Sequence, residues 1–224
     1  MFQRPIVLFP VVRRLLAGGL AVALLGLAAQ ALAAPTRKGK STPTSKAQLW
    51  TIDGSHSSAN FEVRHMMISN VQGTFADVTG EVRLDPKKLK QSSVQATIKV
   101  KSINTGDAKR DDHLRGKDFF DAKKFPTMTF RSTQVRKAGR GYAVKGELTI
   151  KGITKPVTLK VTEVTKPVQH PMLKVLARGA RATTEIDRTD FGLTWNKNLD
   201  QGGLLIGEKV KITLDLELHQ PRKS

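Results

Sequence analysis

The sequence has no cysteine and few aromatic residues, and both shortages exclude functions. Without cysteine, a disulfide, a thiolate nucleophile and a thiolate metal ligand are all excluded. Phenylalanine, tryptophan and tyrosine make up 5% of the 224 residues, too few for a protein that stacks nucleic-acid bases on aromatic rings. Acidic residues are also scarce: 19 Asp and Glu against 38 Lys and Arg give a formal net charge of +19. We expect this charge to serve contact with an anionic membrane surface, or solubility alone, and we expect no nucleic-acid partner.

Residues 1–33 have the features of a secretory signal peptide. Three arginines are followed by an uncharged apolar run from Leu15 to Leu32. The run ends in the small-x-small motif Ala31-Leu32-Ala33, which predicts cleavage after Ala33. An uncleaved anchor is the alternative, because the run is close to the ~18 residues that can cross a bilayer. Export of a protein without cysteine favours a periplasmic location.

The rest of the chain is predicted to be a linker followed by one domain. Residues 34–47 are small, polar and basic, contain proline and glycine, and have no apolar period, so we predict a basic flexible linker. Residues 48–220 are predicted to form a single domain, because all-β barrels of up to ~200–250 residues fold as one unit.

Apolar and polar residues alternate from Leu49 onward. In Val210–Leu218, aliphatic residues occupy the even-numbered positions and polar residues the odd-numbered ones, and Ala59–His65, Val94–Val100 and Val157–Thr162 repeat the alternation. Strict alternation predicts strands with one dry and one wet face, as in antiparallel sheets. Roughly eight to ten such segments are present, which is the range of a barrel or a sandwich.

Closure into a barrel is favoured over a sandwich, because long strands can close and closure removes exposed sheet edges. We therefore predict an all-β fold: a single antiparallel β-barrel of about eight strands. One short helix, or lid, is expected to leave the barrel near residues 107–121. The inward side chains are mostly aliphatic or phenylalanine, so an unfilled lumen would be an apolar tube.

The segment near residues 107–121 combines charge with two adjacent aromatic rings. Asp107 is placed to cap a short helix that has Asp111 in its first turn, where the helix dipole favours acids. We interpret Arg110, Asp111 and His113 as local pairing and capping groups, not as an active site.

The rings that follow this helix are too apolar to remain in water. We expect Phe119 and Phe120, together with Leu114 and Phe125, to turn into one end of the barrel. A permanent hydrophobic plug and a lid that contacts ligand are both consistent with the sequence.

No catalytic residue and no metal site is predicted. The five histidines lack the His-x-His and His-Glu-x-x-His spacings of metal sites. His65 ends the inward row of its strand, where it is expected to be a polar tip at the barrel mouth. Asp53, His56 and Ser57 are expected on one loop between strands, where adjacent residues make turn hydrogen bonds and do not converge as a triad.

Several motifs together resemble the YceI-like family of exported, lipocalin-like, polyisoprenoid-binding proteins, over about Trp50 to Leu218. The matching elements are Ile52-Asp53 with His56-Ser57, Phe61 and His65; Val71, Gly73 and Phe75; Arg110-Asp111, His113-Leu114 and Asp118-Phe119-Phe120; Phe125-Pro126 to Phe130; Leu148-Thr149 to Pro156-Val157; and Arg188, Asp190, Phe191 and Gly192. The resemblance implies a lipocalin-like barrel that takes a long isoprenoid chain, of quinone or polyprenyl type, into its lumen. It implies no reaction and no cofactor.

The first interpretation is therefore a periplasmic protein that sequesters or carries an isoprenoid or other long apolar lipid, with the polar head at a basic rim. The alternatives are an enzyme acting on a lipid-like envelope substrate and a basic module that adheres to anionic membranes; a homodimer is left open. The expected lumen residues are Phe61, Val63, His65, Phe75, Ile98, Val100, Phe119, Phe120, Phe130, Leu148, Ile150, Leu159, Ile212 and Leu214.

Cleavage after Ala33 can be checked by mass. Removing 33 of the 224 residues leaves a mature chain of 191 residues with a net charge of +16, because three arginines and no acid are lost. Intact-mass spectrometry of the protein isolated from the periplasm of an expressing bacterium should give the mass of residues 34–224. A full-length mass in the membrane fraction would instead indicate an anchor.

Overall fold

A computed structural model of the chain describes residues 47–200 and 202–221. The predicted signal peptide, its cleavage site and the predicted linker up to Lys46 lie outside these residues. No helix in the described part of the chain is long and apolar enough to cross a membrane.

Eleven antiparallel strands and one α-helix make up the described residues. The strands are β1 (Gln48–His65), β2 (Ser69–Phe75), β3 (Val78–Leu84), β4 (Ser93–Lys99), β5 (Ile103–Asn104), β6 (Thr127–Ala138), β7 (Gly141–Ile150), β8 (Ile153–Val164), β9 (Val168–Gln169), β10 (Leu176–Asp187) and β11 (Ile206–His219). The helix, α1, spans Ala108–Arg115, and short 3₁₀ turns cover Leu89–Gln91, Val100–Ser102 and Thr189–Phe191.

Eight of the strands close into a barrel. The ring runs β1-β3-β4-β6-β7-β8-β10-β11, and β11 returns to β1 through pairs from Thr51–His219 to His65–Ile206. The short strands lie outside this ring, because β2 pairs with the second half of β1, β5 with β2, and β9 with β10. The predicted antiparallel barrel of about eight strands with one short helix is confirmed.

Strand β1 differs from the prediction, which placed Asp53, His56 and Ser57 on a loop between two strands. The structure has one strand of 18 residues, and a register shift between Asp53 and Ser58 absorbs the extra residues as an irregularity in the pairing with β11. The first part of β1 pairs with β3 and the last part with β2. One long bulged strand can therefore pair with β3 and then with β2 along one edge, while it pairs with β11 along the other.

Helix α1 lies at one end of the barrel, near the last residues of β1 and the first residues of β11. We call this the helix end, and the opposite end, where β1 begins and β11 finishes, the far end. Asp107 caps α1 by accepting a hydrogen bond from the backbone N–H of Arg110 at 3.1 Å. The predicted capped helix is therefore present.

A buried arginine holds the helix end together. Arg188 follows β10 and is 4% exposed. Its guanidinium donates hydrogen bonds to the backbone carbonyls of Gly207 (2.9 Å), Trp195 (3.0 Å) and Ile206 (3.1 Å), and also to that of Leu193. Burial lowers the pKa of Arg188 below its ordinary value. One side chain thus joins the end of β10, the following loop and the start of β11.

Replacing Arg188 should destabilise the barrel strongly. Arg188→Met leaves four carbonyls without their donor, so we expect a loss of roughly 3–5 kcal/mol, or about 10 °C in Tm for a domain of this size. Thermal unfolding followed by circular dichroism measures the loss. Arg181→Met is the control, because Arg181 is exposed and pairs with Asp215 at 3.3 Å, an interaction expected to contribute below ~1 kcal/mol. Equal Tm values for the two variants would contradict the role assigned to Arg188.

Candidate functional site

An apolar cavity of about 630 Å³ fills the inside of the barrel. Its volume is within the ~300–1,000 Å³ that is usual for small-molecule sites. Side chains from all eight strands of the ring line it, and most are aliphatic or aromatic. Ile212 and Leu214 line the cavity and are nevertheless only half-buried, because the open centre leaves part of each side chain uncovered. The inside of the barrel is therefore not packed solid.

The structure brings all but one of the predicted lumen residues together on the wall of this cavity. These residues are Phe61, Val63, His65, Phe75, Ile98, Phe119, Phe120, Phe130, Leu148, Ile150, Leu159, Ile212 and Leu214. Their convergence follows from the period of two, which puts alternate side chains of each strand on the inner face. Their contact with a ligand stays a prediction.

Val100 is the exception, and its predicted place in the lumen is wrong. Strand β4 ends at Lys99 and a 3₁₀ turn begins at Val100, so the alternation stops one residue before the prediction assumed. Val100 is 1% exposed and packs in the hydrophobic core outside the cavity. Its backbone N–H donates to the carbonyl of Pro126 at 2.9 Å.

A chain of aromatic rings borders the cavity near the helix end. The ring of Phe75 lies 5.6 Å from that of Phe61 and 5.6 Å from that of Phe120, the latter edge-to-face at 88°. Phe61 also covers Gly73, where a Cβ atom would lie 2.3 Å from Phe61 Cζ. Only glycine fits at position 73 without displacing this ring, so the glycine fixes the position of a cavity-lining aromatic.

A second aromatic group connects the charged helix with the cavity. His113 on α1 packs edge-to-face against Phe119 at 5.0 Å and against Trp195 at 4.9 Å. Phe119 is 5% exposed and lies 5.4 Å from Trp195. Phe119, Phe120 and Leu114 line the cavity, which agrees with the prediction that these side chains turn into one end of the barrel.

Phe125 departs from that prediction. It does not line the cavity; its ring covers Gly152 in the β7–β8 hairpin, where a Cβ atom would lie 2.8 Å from Phe125 Cε1. The ammonium group of Lys124 lies 5.1 Å from the ring centroid. Phe125 therefore packs against the β7–β8 hairpin, outside the cavity.

The polar groups of the helix segment satisfy one another, as the sequence analysis predicts. The Asp111 carboxylate accepts hydrogen bonds from the backbone N–H of Thr105 at 2.9 Å and from its hydroxyl at 2.6 Å. Arg110 donates from Nε to the Thr105 hydroxyl and from a terminal nitrogen to the Thr105 carbonyl, both at 2.8 Å. These contacts anchor α1 to the residue that follows β5.

Charged residues reach the cavity wall at both ends. At the helix end the exposed residues on the wall are Arg64, Asp107, Lys109, Arg110 and His113. At the far end the wall includes Arg83 and Arg178. The cavity is therefore apolar along its length and carries positive charge at either end.

The far end holds polar atoms that sequence reasoning missed. Trp50 is fully buried, and the Arg178 guanidinium carbon lies 5.1 Å from the centroid of its ring. Burial lowers the pKa of Arg178, and nearby Tyr142 acts in the opposite direction. Arg178 occupies an inward position of β10, two residues before Ala180 and four before Ala182, so the same alternation that identified the aliphatic lumen residues identifies it.

The residues weighed as a triad lie on the outside of the barrel. They belong to the bulged part of β1 and not to a loop between strands, so that expectation is wrong. The Nδ1–H of His56 donates to the Asp53 carboxylate at 2.5 Å, whereas the Ser57 hydroxyl exchanges hydrogen bonds with the backbone of Glu217 at 3.0 and 3.4 Å. Because Ser57 is held by backbone groups and His56 by Asp53, these residues do not form a nucleophile–base pair.

The Asp53–His56 pair changes the pKa of both groups. The hydrogen bond to Asp53 raises the pKa of His56 above its ordinary value. Burial alone would raise the pKa of Asp53, but the hydrogen bonds from His56 and from the Ser55 backbone outweigh it, so the net shift is downward.

Two groups of metal-ligand side chains meet on the same outer surface. Within each, the ligand atoms lie within 4.8 Å of one another: His170, Glu217 and His219 in one group, and Asp53, His56 and Glu217 in the other. The Nδ1 atom of His170 already accepts from the backbone N–H groups of residues 172 and 173, and His219 bonds Glu217 at 2.7 Å. These side chains would have to give up existing hydrogen bonds to hold a cation.

Comparison with known proteins agrees with this architecture. The model of the YceI-like domain matches residues 50–218. A UPF0312 protein of Staphylococcus aureus is 36% identical over 168 residues, which cover 75% of this chain and 95% of that protein. The crystal structure of BcnA from Burkholderia cenocepacia is 31% identical in sequence and has a TM-score of 0.64. The match covers 74% of this chain and 98% of the BcnA chain.

A more distant structure shares the fold. It is a polyisoprenoid-binding domain from Saccharophagus degradans that is implicated in plant cell wall breakdown. Its TM-score is 0.55 at 17% identity, and the match covers 77% of this chain and 98% of that domain. At this identity the similarity concerns the fold alone. The family model and the staphylococcal relative together decide the assignment made from the sequence motifs: the chain belongs to the YceI-like family.

Proposed function

We propose that the protein binds a long-chain isoprenoid lipid, of quinone or polyprenyl type, in the barrel cavity and carries or sequesters it in the periplasm. The observation that carries the proposal is the open, apolar interior of about 630 Å³, bounded by side chains of all eight barrel strands. The choice of ligand class follows from the YceI-like family, because the resemblance to that family implies a long isoprenoid chain in the lumen.

The binding energy would come mainly from burial of the tail. Each methylene group moved from water into an apolar site contributes ~0.8 kcal/mol before ordering costs, so a prenyl chain can bind tightly without strong polar contacts. Aliphatic and aromatic side chains form nearly the whole cavity wall, which suits a hydrocarbon chain of this kind. Neither the apolar cavity wall nor the Ser57 hydroxyl, which is hydrogen-bonded to the backbone of Glu217, indicates a reaction. That the protein is not an enzyme stays a prediction.

The periplasmic location rests on the predicted signal peptide, and it is part of this proposal. Contact with an anionic membrane surface and a homodimer also stay predictions. High salt should weaken contact between the basic protein surface and an anionic membrane and should scarcely affect binding of an uncharged tail in the lumen.

Filling the cavity should weaken lipid binding. Ala182 is 5% exposed and lines the cavity near the middle of β10, so Ala182→Phe would place a ring where the tail lies. If about two methylene groups no longer fit, the affinity for a long-chain isoprenoid quinone falls roughly tenfold. Quenching of intrinsic tryptophan fluorescence by the quinone measures the affinity.

The control for this experiment is the next residue. Thr183 does not line the cavity, so Thr183→Phe adds a similar volume to the opposite face of the same strand. This variant should bind the quinone like the parent protein, with thermal unfolding checking that both variants are folded. Undiminished binding by Ala182→Phe would contradict a ligand in the lumen.

A second prediction separates a lid from a plug at the helix end. Phe120 lines the cavity, whereas Phe125 packs outside it. Both Phe120→Ala and Phe125→Ala should lower Tm, because each removes a half-buried ring, and loss of a fully buried one costs ~3–5 kcal/mol. Only Phe120→Ala should also change the affinity for the quinone. If ligand binding is the same in both variants, Phe120 is a permanent plug.

A further inference from the structure

The turn between β1 and β2 presents three large apolar side chains to solvent. Met66, Met67 and Ile68 are 40%, 43% and 75% exposed, and we call them the hairpin tip. They connect His65 with Ser69, and the Ile68 N–H closes the turn by donating to the His65 carbonyl at 3.1 Å. An apolar side chain that stays in water gains nothing from folding, so the exposed part of the hairpin tip does not stabilise the barrel.

The backbone of this turn makes its residue types unusual. The φ angles of Met66 and Met67 are 50° and 61°, both in the left-handed region. Hairpin turns with two successive positive φ angles favour asparagine, aspartate and glycine, because most other side chains are strained there. The chain has methionines at these two positions instead. Turn stability therefore does not account for them, and contact with something outside the chain would.

The hairpin tip lies directly beside the cavity. The Met66 N–H donates to the Leu205 carbonyl at 2.8 Å, and both Leu205 and His65 line the cavity. A Cβ atom on Gly203 would lie 3.7 Å from Met67 Cγ, so the loop before β11 packs against the tip. Of the exposed residues on the described cavity wall, all but Arg83 lie at this helix end. A lipid that enters the cavity here passes close to the hairpin tip.

Exposed basic residues lie next to the hairpin tip. Arg64 immediately precedes His65 and donates to the neutral side chain of Asn70 at 3.2 Å. The Lys197 carbonyl accepts from the N–H of Leu205, which itself contacts the tip, at 2.9 Å. Lys109 is exposed on the cavity wall. No carboxylate of the described residues forms an ion pair with these three cations.

Acidic residues are present at this end as well. Asp107 accepts from the Arg110 N–H as the cap of α1, and Asp200 and Glu208 lie before and after the start of β11. The formal net charge of +19 nevertheless attracts the whole chain to anionic surfaces. An anionic bilayer is the partner that suits both features of the tip, because acyl chains accept the apolar side chains while anionic head groups attract the cations beside them.

We propose that the hairpin tip is a membrane-docking site, with Met66, Met67 and Ile68 inserted into an anionic bilayer and the helix end of the cavity facing it. The purpose of this docking rests on the proposed function, because a lipid carried in the cavity has to leave one bilayer and enter another. Docking in this orientation lets the apolar tail pass between bilayer and cavity without exposure to water.

A second group of exposed apolar residues lies at the far end and provides the comparison. Val168 and Met172 are 62% and 81% exposed. The charged residues that line the outer groove beside Val168 are three carboxylates and two arginines: Glu163, Asp215, Glu217, Arg178 and Arg181. Because carboxylates outnumber arginines in this groove, we expect no docking of the far end on an anionic bilayer.

Flotation of the full mature chain with lipid vesicles tests the docking site. The vesicles contain equal parts of phosphatidylcholine and phosphatidylglycerol. Ile68→Asp should weaken vesicle binding about tenfold or more, because it removes an inserted apolar side chain and adds a charge that the bilayer repels. Met172→Asp is the matched control at the far end, and it should bind the vesicles like the parent protein.

A second pair of variants tests the charge beside the tip. Lys197→Gln should weaken binding to the anionic vesicles about fivefold and leave the weaker binding to phosphatidylcholine vesicles unchanged. Lys166→Gln removes the same charge from an exposed position at the far end and should change binding less than about twofold.

Transfer of an isoprenoid quinone from donor vesicles to the protein, followed by quenching of tryptophan fluorescence, connects docking with loading. Ile68→Asp should slow this transfer about tenfold, in line with its weaker docking. Its affinity for the quinone in dilute detergent should equal that of the parent protein, because Ile68 does not line the cavity. The substituted residues are all exposed, so circular dichroism should give the parent Tm for every variant.

The outcomes separate this inference from the proposed function. Equal vesicle binding by Ile68→Asp and Met172→Asp overturns the docking site, even if the quinone binds in the cavity. A parent protein that binds no anionic vesicles overturns it too, as does an Ile68→Asp variant that only dissociates a dimer, since the tip would then join two copies of the chain. Tip-dependent vesicle binding by a protein that takes up no quinone supports the docking site and overturns the proposed function.

Discussion

The closure of the sheet on itself is the constraint on which the rest of the structure depends. Once β11 pairs with β1, the inward side chains of the ring face one another across a closed interior. An eight-stranded barrel is just wide enough that its interior is either filled by side chains or holds a small ligand. Here Ala96, Ala180 and Ala182 are among the residues on the wall, and the interior stays open. The cavity is thus a result of strand number and of small residues at inward positions.

The two ends of the barrel interior are lined by different side chains. At the helix end, Phe119 and Phe120 of the segment after α1 and Trp195 of the loop after β10 line the cavity, while Arg110 and Asp111 of the helix bond Thr105 after β5. At the far end, Arg83 and Arg178 are the charged residues among the lining of the cavity.

The period of two was sufficient to predict the fold and to place nearly all of the predicted lumen residues on the cavity wall, because in a barrel the inner face of each strand is a direct function of its alternation. The same rule fails where the alternation is broken. The bulge in β1 joins two predicted strands, and Val100 starts a 3₁₀ turn instead of ending a strand. Phe125 was misplaced because apolar character does not say which side of a barrel end a loop residue covers. Arg178 is missing from the predicted lumen residues because, apart from His65, these were all apolar. The cluster of His170, Glu217 and His219 joins parts of the chain that are distant in sequence, so no local pattern predicts it.

The central claim is that an oily molecule occupies the interior of this barrel. Native mass spectrometry of the freshly purified mature protein, followed by extraction and identification of the released lipid, tests it most directly. The account predicts a population heavier than the polypeptide by one prenyl lipid per chain, and recovery of that lipid in stoichiometric amount. A single species with the bare polypeptide mass, unchanged after incubation with prenyl lipids, would contradict it.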